Sequence, residues 1–176
     1  MSFSNNAKFI TFEGIDGCGK STQARMLLDV LNKTHSIETI LVREPGGTTI
    51  SESIREILLH SNRGQIGDRS ESLLMTASRA QLTQDVIIPN LELGKCVIAD
   101  RYSDSTLAYQ GGGRGIDIDW LIDLNNYATF ALVPDITFLI DIRPEEALRR
   151  LDQSTDRIEG EGIEFQVRVR KTYHDL

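Results

Sequence analysis

The stretch Phe9-Ile10-Thr11-Phe12-Glu13-Gly14-Ile15-Asp16-Gly17-Cys18-Gly19-Lys20-Ser21-Thr22 decides the fold. Its first half belongs to a short apolar run over residues 8–13, of the kind that forms a buried strand. Its second half fits G-x-x-x-x-G-K-[ST] from Gly14 to Ser21. Glycines at that spacing let the chain wind so that successive N–H groups point inward at a phosphate, and the helix that follows adds its positive end. Lys20 is then placed for β- and γ-phosphates and the Ser21 hydroxyl for Mg²⁺. A chance match is expected about once in two hundred chains of this composition. The residues Gly14, Ile15, Asp16, Gly17, Cys18, Gly19, Lys20, Ser21 and Thr22 are therefore the candidate nucleoside triphosphate site. Cys18 reads as a small residue filling a variable loop position.

Outward from this loop, apolar runs alternate with segments of helical period. Residues 20–32 carry Ala24, Leu27, Leu28 and Leu31 on one face. Residues 37–43 read as a strand stopped by Pro45-Gly46-Gly47, and 50–60 as a helix. Residues 70–88 predict a long helix with Leu73, Leu74, Ala77, Ala80 and Leu82 inward, kinked or ended by Pro89. The runs 95–100 and 136–142 are continuously apolar, as expected of strands covered on both faces. Gly111, Gly112, Gly113 and Gly115 suggest a mobile connector, and 161–176 a last helix. The pattern is α/β: three layers, α/β/α, around a parallel sheet.

Composition narrows the function. The chain has 176 residues, enough for one domain with a sizeable core, and its 26 acidic against 19 basic residues give a net charge of −7. An acidic chain with 5 Lys lacks the basic face that nucleic acid demands. No apolar run approaches the roughly 20 residues of a membrane span. The opening residues lack a secretory layout, and Cys18 and Cys96 make no disulfide framework. A cytoplasmic domain without nucleic-acid or membrane partners is the expectation. His35, His60 and His174 have no metal-ligand spacing.

Asp100 ends the apolar run Val97-Ile98-Ala99, the layout that brings an acid near Mg²⁺; Asp141 is its competitor. No N-K-x-D guanine reader occurs, which argues against a GTPase switch. Arginines near strand ends and loops are abundant: Arg43, Arg55, Arg79, Arg101, Arg114 and Arg157. Guanidinium forks suit the clamping of a second phosphate, as an enzyme holding two phosphorylated substrates requires.

Four blocks carry a resemblance: FEGIDGCGKST (12–22), REPGGT (43–48), ASRAQ (77–81) and DRYSDSTLAYQGGGRGID (100–117). With DRIE (156–159), they resemble thymidylate kinase, a nucleoside monophosphate kinase family, in its bacterial form. The resemblance implies a P-loop NTPase fold over one domain, 1–176, with a lid around 149–160. It implies ATP- and Mg²⁺-dependent phosphorylation of dTMP to dTDP, with ATP and dTMP as small-molecule partners, in a homodimer. Ser21 and Asp100 would stand on the metal side. Arg101 would clamp the dTMP phosphate, with Arg43 and Arg55 near it, and Glu44 would lie by the metal or the sugar hydroxyl. Asp16 would lie by the acceptor's sugar, and Tyr109 by the deoxyribose, excluding a 2′-hydroxyl. Arg79 would bond the thymine edge, with Thr106 and Gln110 completing the pocket. With no Arg in the phosphate loop, the lid would supply the transition-state arginine from Arg149, Arg150 or Arg157. Lys20 and Arg101 complete the catalytic set with Arg150 and Arg157.

The chain departs from the family pattern in three places. Met75 stands where a Phe commonly stacks on the base. Asp152-Gln153-Ser154-Thr155 is short and without a basic residue. The family generally adds a strand and helix beyond the residue where this chain ends. A kinase for another monophosphate, and a nucleotide-binding protein without turnover, are the alternative readings.

Overall fold

A computed structural model of the chain describes residues 7–61, 65–151 and 157–176. Four strands, β1 (Phe9–Glu13), β2 (Thr39–Arg43), β3 (Cys96–Asp100) and β4 (Ile136–Leu139), form one parallel sheet in the order β2-β3-β1-β4. The helices are α1 (Lys20–Thr34), α2 (Thr49–His60), α3 (Asp68–Leu82), α4 (Ile88–Glu92), α5 (Ser103–Thr106), α6 (Ile118–Ala128), α7 (Pro144–Arg150) and α8 (Ile163–Asp175).

Strand alternation builds the three layers. Ile10, Phe12 and Ile98 point to one face and pack with Ala24, Leu27, Leu28 and Leu31 of α1. Phe9, Val97 and Ala99 point to the other and pack with Leu82, Ile87 and Leu91 from α3 and the segment after it. Every residue of β1 is buried, as are four of the five in β3. The three-layer α/β/α arrangement is the P-loop NTPase fold, and it has a functional consequence. Register pairs Phe12 with Asp100 and Arg43 with Asp100, so β1, β2 and β3 end side by side. Whatever follows these strands meets at one carboxyl edge, where open α/β sheets bind ligands.

Several expectations are corrected. Pro89 does not end the long helix: α3 passes through a π-helical turn, Thr83–Ile87, and Pro89 lies in the first turn of α4. The inward face of α3 also differs from the apolar stripe. Leu73 is 51% exposed, while Glu71, Ser72, Thr76, Ser78 and Arg79 are buried. This helix turns polar residues inward because they bond to neighbouring segments: Glu71 to Gln110 at 2.9 Å, Ser78 to the Gly46 N–H at 3.2 Å and Arg79 to Glu44 at 2.7 Å. The run 136–142 yields only the edge strand β4, whose four residues are all exposed. Apolar continuity alone does not distinguish an edge from a covered strand.

The glycine-rich segment is not a loose connector. Leu107–Gly113 forms a buried π-helical turn packed on α8, where a Cβ on Gly112 would lie 1.9 Å from Thr172 Oγ1 and one on Gly113 2.5 Å from the Phe165 ring. The close approach of this turn to α8 is what requires glycine.

Candidate active site

The phosphate loop leaves β1 at Glu13 and enters α1 through Gly19, whose φ of 100° is open to glycine at no steric cost. Helix α1 carries no acidic residue in its first turn, so its positive end is left unneutralised. Ile15 and Cys18 point into the core beside Ala147 of α7, and Cys18 fills space there as the small residue its position suggested. The Lys20 ammonium folds back over the loop and donates to the Ile15 carbonyl at 2.9 Å. Burial and the nearby Arg101 charge lower its pKa, against the pull of Asp16 and Asp100.

Ser21 donates to Asp100 Oδ2 at 2.5 Å, which joins the loop to the end of β3. Asp141 stands elsewhere, gripped by Arg170 at 2.6 and 2.7 Å and paired with His174 at 3.2 Å. Of the two candidate carboxylates, Asp100 is the one beside the loop. Among the described residues no group of three or more His, Cys, Asp or Glu is set to hold a metal. A hydroxyl and one carboxylate, both hard oxygen donors, nevertheless suit Mg²⁺, which takes few protein ligands and completes its shell with phosphates and water.

Beside the loop lies an open cleft of about 210 Å³. It gathers Asp16, Lys20, Ser21, Arg43, Glu44, Arg55, Met75, Arg79, Asp100, Arg101, Thr106, Tyr109 and Gln110 into one wall. At its centre is Arg101. One terminal nitrogen donates to Gly14 O and Ser105 Oγ, each at 3.1 Å, and to Tyr173 Oη at 3.2 Å. The other pairs with Asp16 and donates to Tyr109 Oη at 3.0 Å. Tyr109 in turn donates to Asp16 at 2.7 Å. Burial works against the Asp16 charge, but Arg101 and Lys20 outweigh it and hold the carboxyl below its ordinary value.

Arg79, from α3, is committed on every N–H. Its Nε donates to Glu44 at 2.7 Å, and its terminal nitrogens reach Thr106 (2.6 Å), Asn125 (2.8 Å), Tyr102 O (2.7 Å) and Glu44 again (2.6 Å). Five N–H groups meet four acceptor atoms, Glu44 Oε2 taking two of them. The expected bond from Arg79 to a base therefore has no donor left in this arrangement, and Arg79 instead braces Thr106 and Glu44. Among the described residues the second oxygen of Glu44 is buried without a partner. Burial raises the Glu44 carboxyl above its usual range, against the pull of Arg79. Gln110 donates to Glu71 at 2.9 Å, which turns its carbonyl into the acceptor left over. Arg43 and Arg55 converge on the Pro45 carbonyl at 2.7 and 2.8 Å, and Glu52 grips Arg43 on two oxygens.

The two proposed lid arginines separate. Arg157 lies outside the cleft, buried, donating to Leu58 O at 3.0 Å and paired with Glu71 at 2.6 Å. In this arrangement its guanidinium faces the Leu58 carbonyl and Glu71. Arg150 ends α7, half-exposed and paired with Glu146 at 2.6 Å. The helix it ends touches the loop: a Cβ on Gly17 would lie 2.5 Å from Ala147 O. The segment Asp152-Gln153-Ser154-Thr155 lies outside the described residues.

Sequence reasoning overlooked Glu13, Glu71, Ser105, Asn125 and Tyr173. Only Glu13 had a local signal, a charge closing a strand otherwise apolar at its core-facing positions; the others acquire meaning through partners distant in sequence.

Comparison with known proteins bears on this arrangement. The family model described as thymidylate kinase matches residues 12–176. The thymidylate kinase of Thermosipho africanus is 52% identical over 169 residues, spanning 96% of this chain and 83% of that protein. That of Pelodictyon phaeoclathratiforme is 49% identical over 178 residues, spanning 95% and 81%. The crystal structure of thymidylate kinase from Ehrlichia chaffeensis superposes with a TM-score of 0.80 at 39% identity, covering 96% of this chain and 85% of that one. With the phosphate loop and the Asp100-Arg101 pair in one cleft, and such relatives over nearly its whole length, this chain belongs to the thymidylate kinase family.

Proposed function

We propose that the chain transfers the γ-phosphoryl group of ATP to dTMP, yielding ADP and dTDP, and that its residues 1–176 act as one kinase domain with a lid around 149–160. The observation that carries the mechanism is the position of Arg101. It follows the strand that delivers Asp100, and its guanidinium is bonded to Gly14 and Asp16 of the phosphate loop itself. A phosphate held by Arg101 therefore lies against the loop that holds the donor.

The bond between the γ-phosphorus and the β,γ-bridging oxygen breaks as an oxygen of the dTMP phosphate bonds to that phosphorus. The acceptor oxygen is already anionic at neutral pH, so no strong protein base is needed. Catalysis is alignment and charge neutralisation. Lys20 and the loop amides hold the donor phosphates, and Arg101 brings the acceptor toward them, with Arg43 and Arg55 at its outer side. Ser21 and Asp100 would hold Mg²⁺, which when bound offsets charge on the β- and γ-phosphate oxygens. Of the lid arginines, Arg150 is the one we assign to the transferring group, because its helix packs on the loop while Arg157 is buried against Glu71.

Base recognition falls to Gln110 and Thr106. The Gln110 carbonyl suits the imide N–H of thymine, and Thr106, whose oxygen accepts from Arg79, is left with its own O–H to donate. Met75 packs beside Tyr109 as the apolar wall for the ring. The Tyr109 ring, fixed by Asp16 and Arg101, crowds the sugar and would exclude a 2′-hydroxyl. The unpartnered Glu44 oxygen suits a hydroxyl donor of the acceptor or the metal's hydration shell.

Apolar side chains left exposed on α3 and α6, Leu73, Trp120 and Tyr127, support a homodimer through these helices. No helix among the described residues is long and apolar enough to cross a membrane, and we place the enzyme in the cytoplasm. The reaction is tested by ADP release with Mg²⁺-ATP against dTMP, dUMP, dCMP, UMP, CMP, AMP and GMP. Preference for dTMP by at least tenfold is expected. Preference for another monophosphate contradicts the assigned base pocket, and turnover of none contradicts the kinase.

A further inference from the structure

Glu13 closes β1 with its side chain 1% exposed, yet it has no ion-pair partner within salt-bridge distance among the described residues. Its bonds are to neutral groups. One oxygen accepts the Tyr102 N–H at 2.7 Å. The other lies 2.6 Å from Ser105 Oγ and 2.9 Å from Tyr173 Oη, and those two hydroxyls are 2.8 Å apart. Both hydroxyls also lie at the Arg101 guanidinium, at 3.1 and 3.2 Å.

Hydrogen-bond direction makes this cluster specific. Arg101 can only donate, so Ser105 and Tyr173 must accept from it. They can do so while remaining satisfied if both send their own hydrogens to Glu13. An ionised carboxylate, acceptor on every lone pair, permits this; a hydrogen on the oxygen that the two hydroxyls share does not. The same carboxylate fixes the peptide after Arg101, a residue whose φ of 76° lies in the left-handed region that side chains disfavour. On its other side that stretch is held by Arg79, which takes the Tyr102 carbonyl at 2.7 Å.

We infer that Glu13 is a positioning residue for Arg101, orienting the Ser105 and Tyr173 hydroxyls so that they hold the guanidinium toward the acceptor phosphate. The inference rests on the assignment of Arg101 to that phosphate. It extends the site into α8, which supplies Tyr173, and gives a task to a buried carboxylate that touches neither substrate. Burial pushes the Glu13 carboxyl up to about 7, against the bonds from Ser105 and Tyr173, so the charge is kept there at a cost.

The test compares dTMP with thymidine, which lacks the phosphate, as ligands of wild type, Glu13→Gln, Tyr173→Phe and Ser105→Ala, alongside kcat and the KM for ATP. In Glu13→Gln the amide hydrogens must face either the Tyr102 N–H or the two hydroxyls, so one side of the cluster fails. The expected result is a loss of about 30-fold in dTMP affinity and in kcat/KM for dTMP, with thymidine affinity and the KM for ATP within about twofold. Tyr173→Phe is expected to lose about fivefold in the same phosphate-specific way. Equal losses for dTMP and thymidine, or no loss, overturn the inference. If Glu13→Gln does not fold, the isosteric Tyr173→Phe decides by the same ratio. Wild type binding dTMP no better than thymidine would instead strike the assignment of Arg101 itself, which separates the two failures.

Discussion

Two buried charge clusters stand a helix apart, and they are built in opposite senses. In the cleft, a cation is central: Arg101 is ringed by the hydroxyls of Ser105, Tyr109 and Tyr173, with one ionised partner, Asp16. Behind the cleft, an anion is central: Glu71 takes Arg114 at 3.1 Å, Arg157 at 2.6 Å and Gln110 at 2.9 Å. Burial penalises Glu71, but the bonds from Arg114 and Gln110 and the charges behind them leave its carboxyl below the ordinary value. Neutral hydroxyls leave a guanidinium's charge available to an incoming phosphate. A carboxylate ringed by cations is closed on itself, and its work is to tie α3, the glycine-rich turn and the chain after the lid together. Buried arginine is thus no sign of catalysis until its partners are counted.

Substitutions separate the two clusters. The largest effect is expected from Arg101→Ala, a fall in kcat of about 100- to 1,000-fold, the scale of losing a donor to developing charge. Calorimetry should find ATP affinity within a few-fold of wild type. Arg150→Ala is expected to lower kcat about 10- to 100-fold, whereas Arg157→Ala should leave kcat per folded molecule within about threefold. If the order is reversed in a coupled ADP assay, the lid arginine is Arg157 and the packed arrangement is not the reacting one.

Stability should respond in the opposite pattern. Glu71→Ala removes the carboxylate that pairs with Arg157 and Arg114, leaving Arg114 with Glu161 at 2.7 Å, and is expected to cost about 3–5 kcal/mol in urea unfolding. A loss under 1 kcal/mol would show that the cluster behind the cleft ties nothing. A smaller effect concerns pH. The Glu13 carboxyl is raised from 4.5 to about 7 in the fold, so the native state binds this proton more tightly than the unfolded chain. Its contribution is fully present below about pH 4.5 and is lost as pH rises through about 7, on the order of 3 kcal/mol at most. Glu13→Gln should remove that slope from the pH dependence of unfolding; an unchanged slope assigns it to other groups.

The sequence makes legible what is local. The glycine spacing of the phosphate loop, the apolar strands feeding it and the helix after it are encoded within a few residues, and all stand as read. Thirteen predicted residues share one cleft for the same reason, since each lies near a strand end or on a helix beside it. Nonlocal partnership is what escapes. Nothing around Arg157 announces Glu71, and nothing around Glu13 announces Tyr173. The α3 face escapes because hydrophobic period assumes that buried means apolar, whereas this helix buries Glu71, Ser72, Thr76 and Arg79. The β4 run was misread because apolar side chains on an edge look the same in sequence as those in a centre.

The central claim is that Arg101 offers its charge to the acceptor's phosphate. Equilibrium titration of wild type and Arg101→Ala with dTMP and with thymidine tests it most directly. The account predicts that the substitution weakens dTMP by about 100-fold and leaves thymidine within about twofold. Equal weakening of both ligands, or of neither, would contradict it.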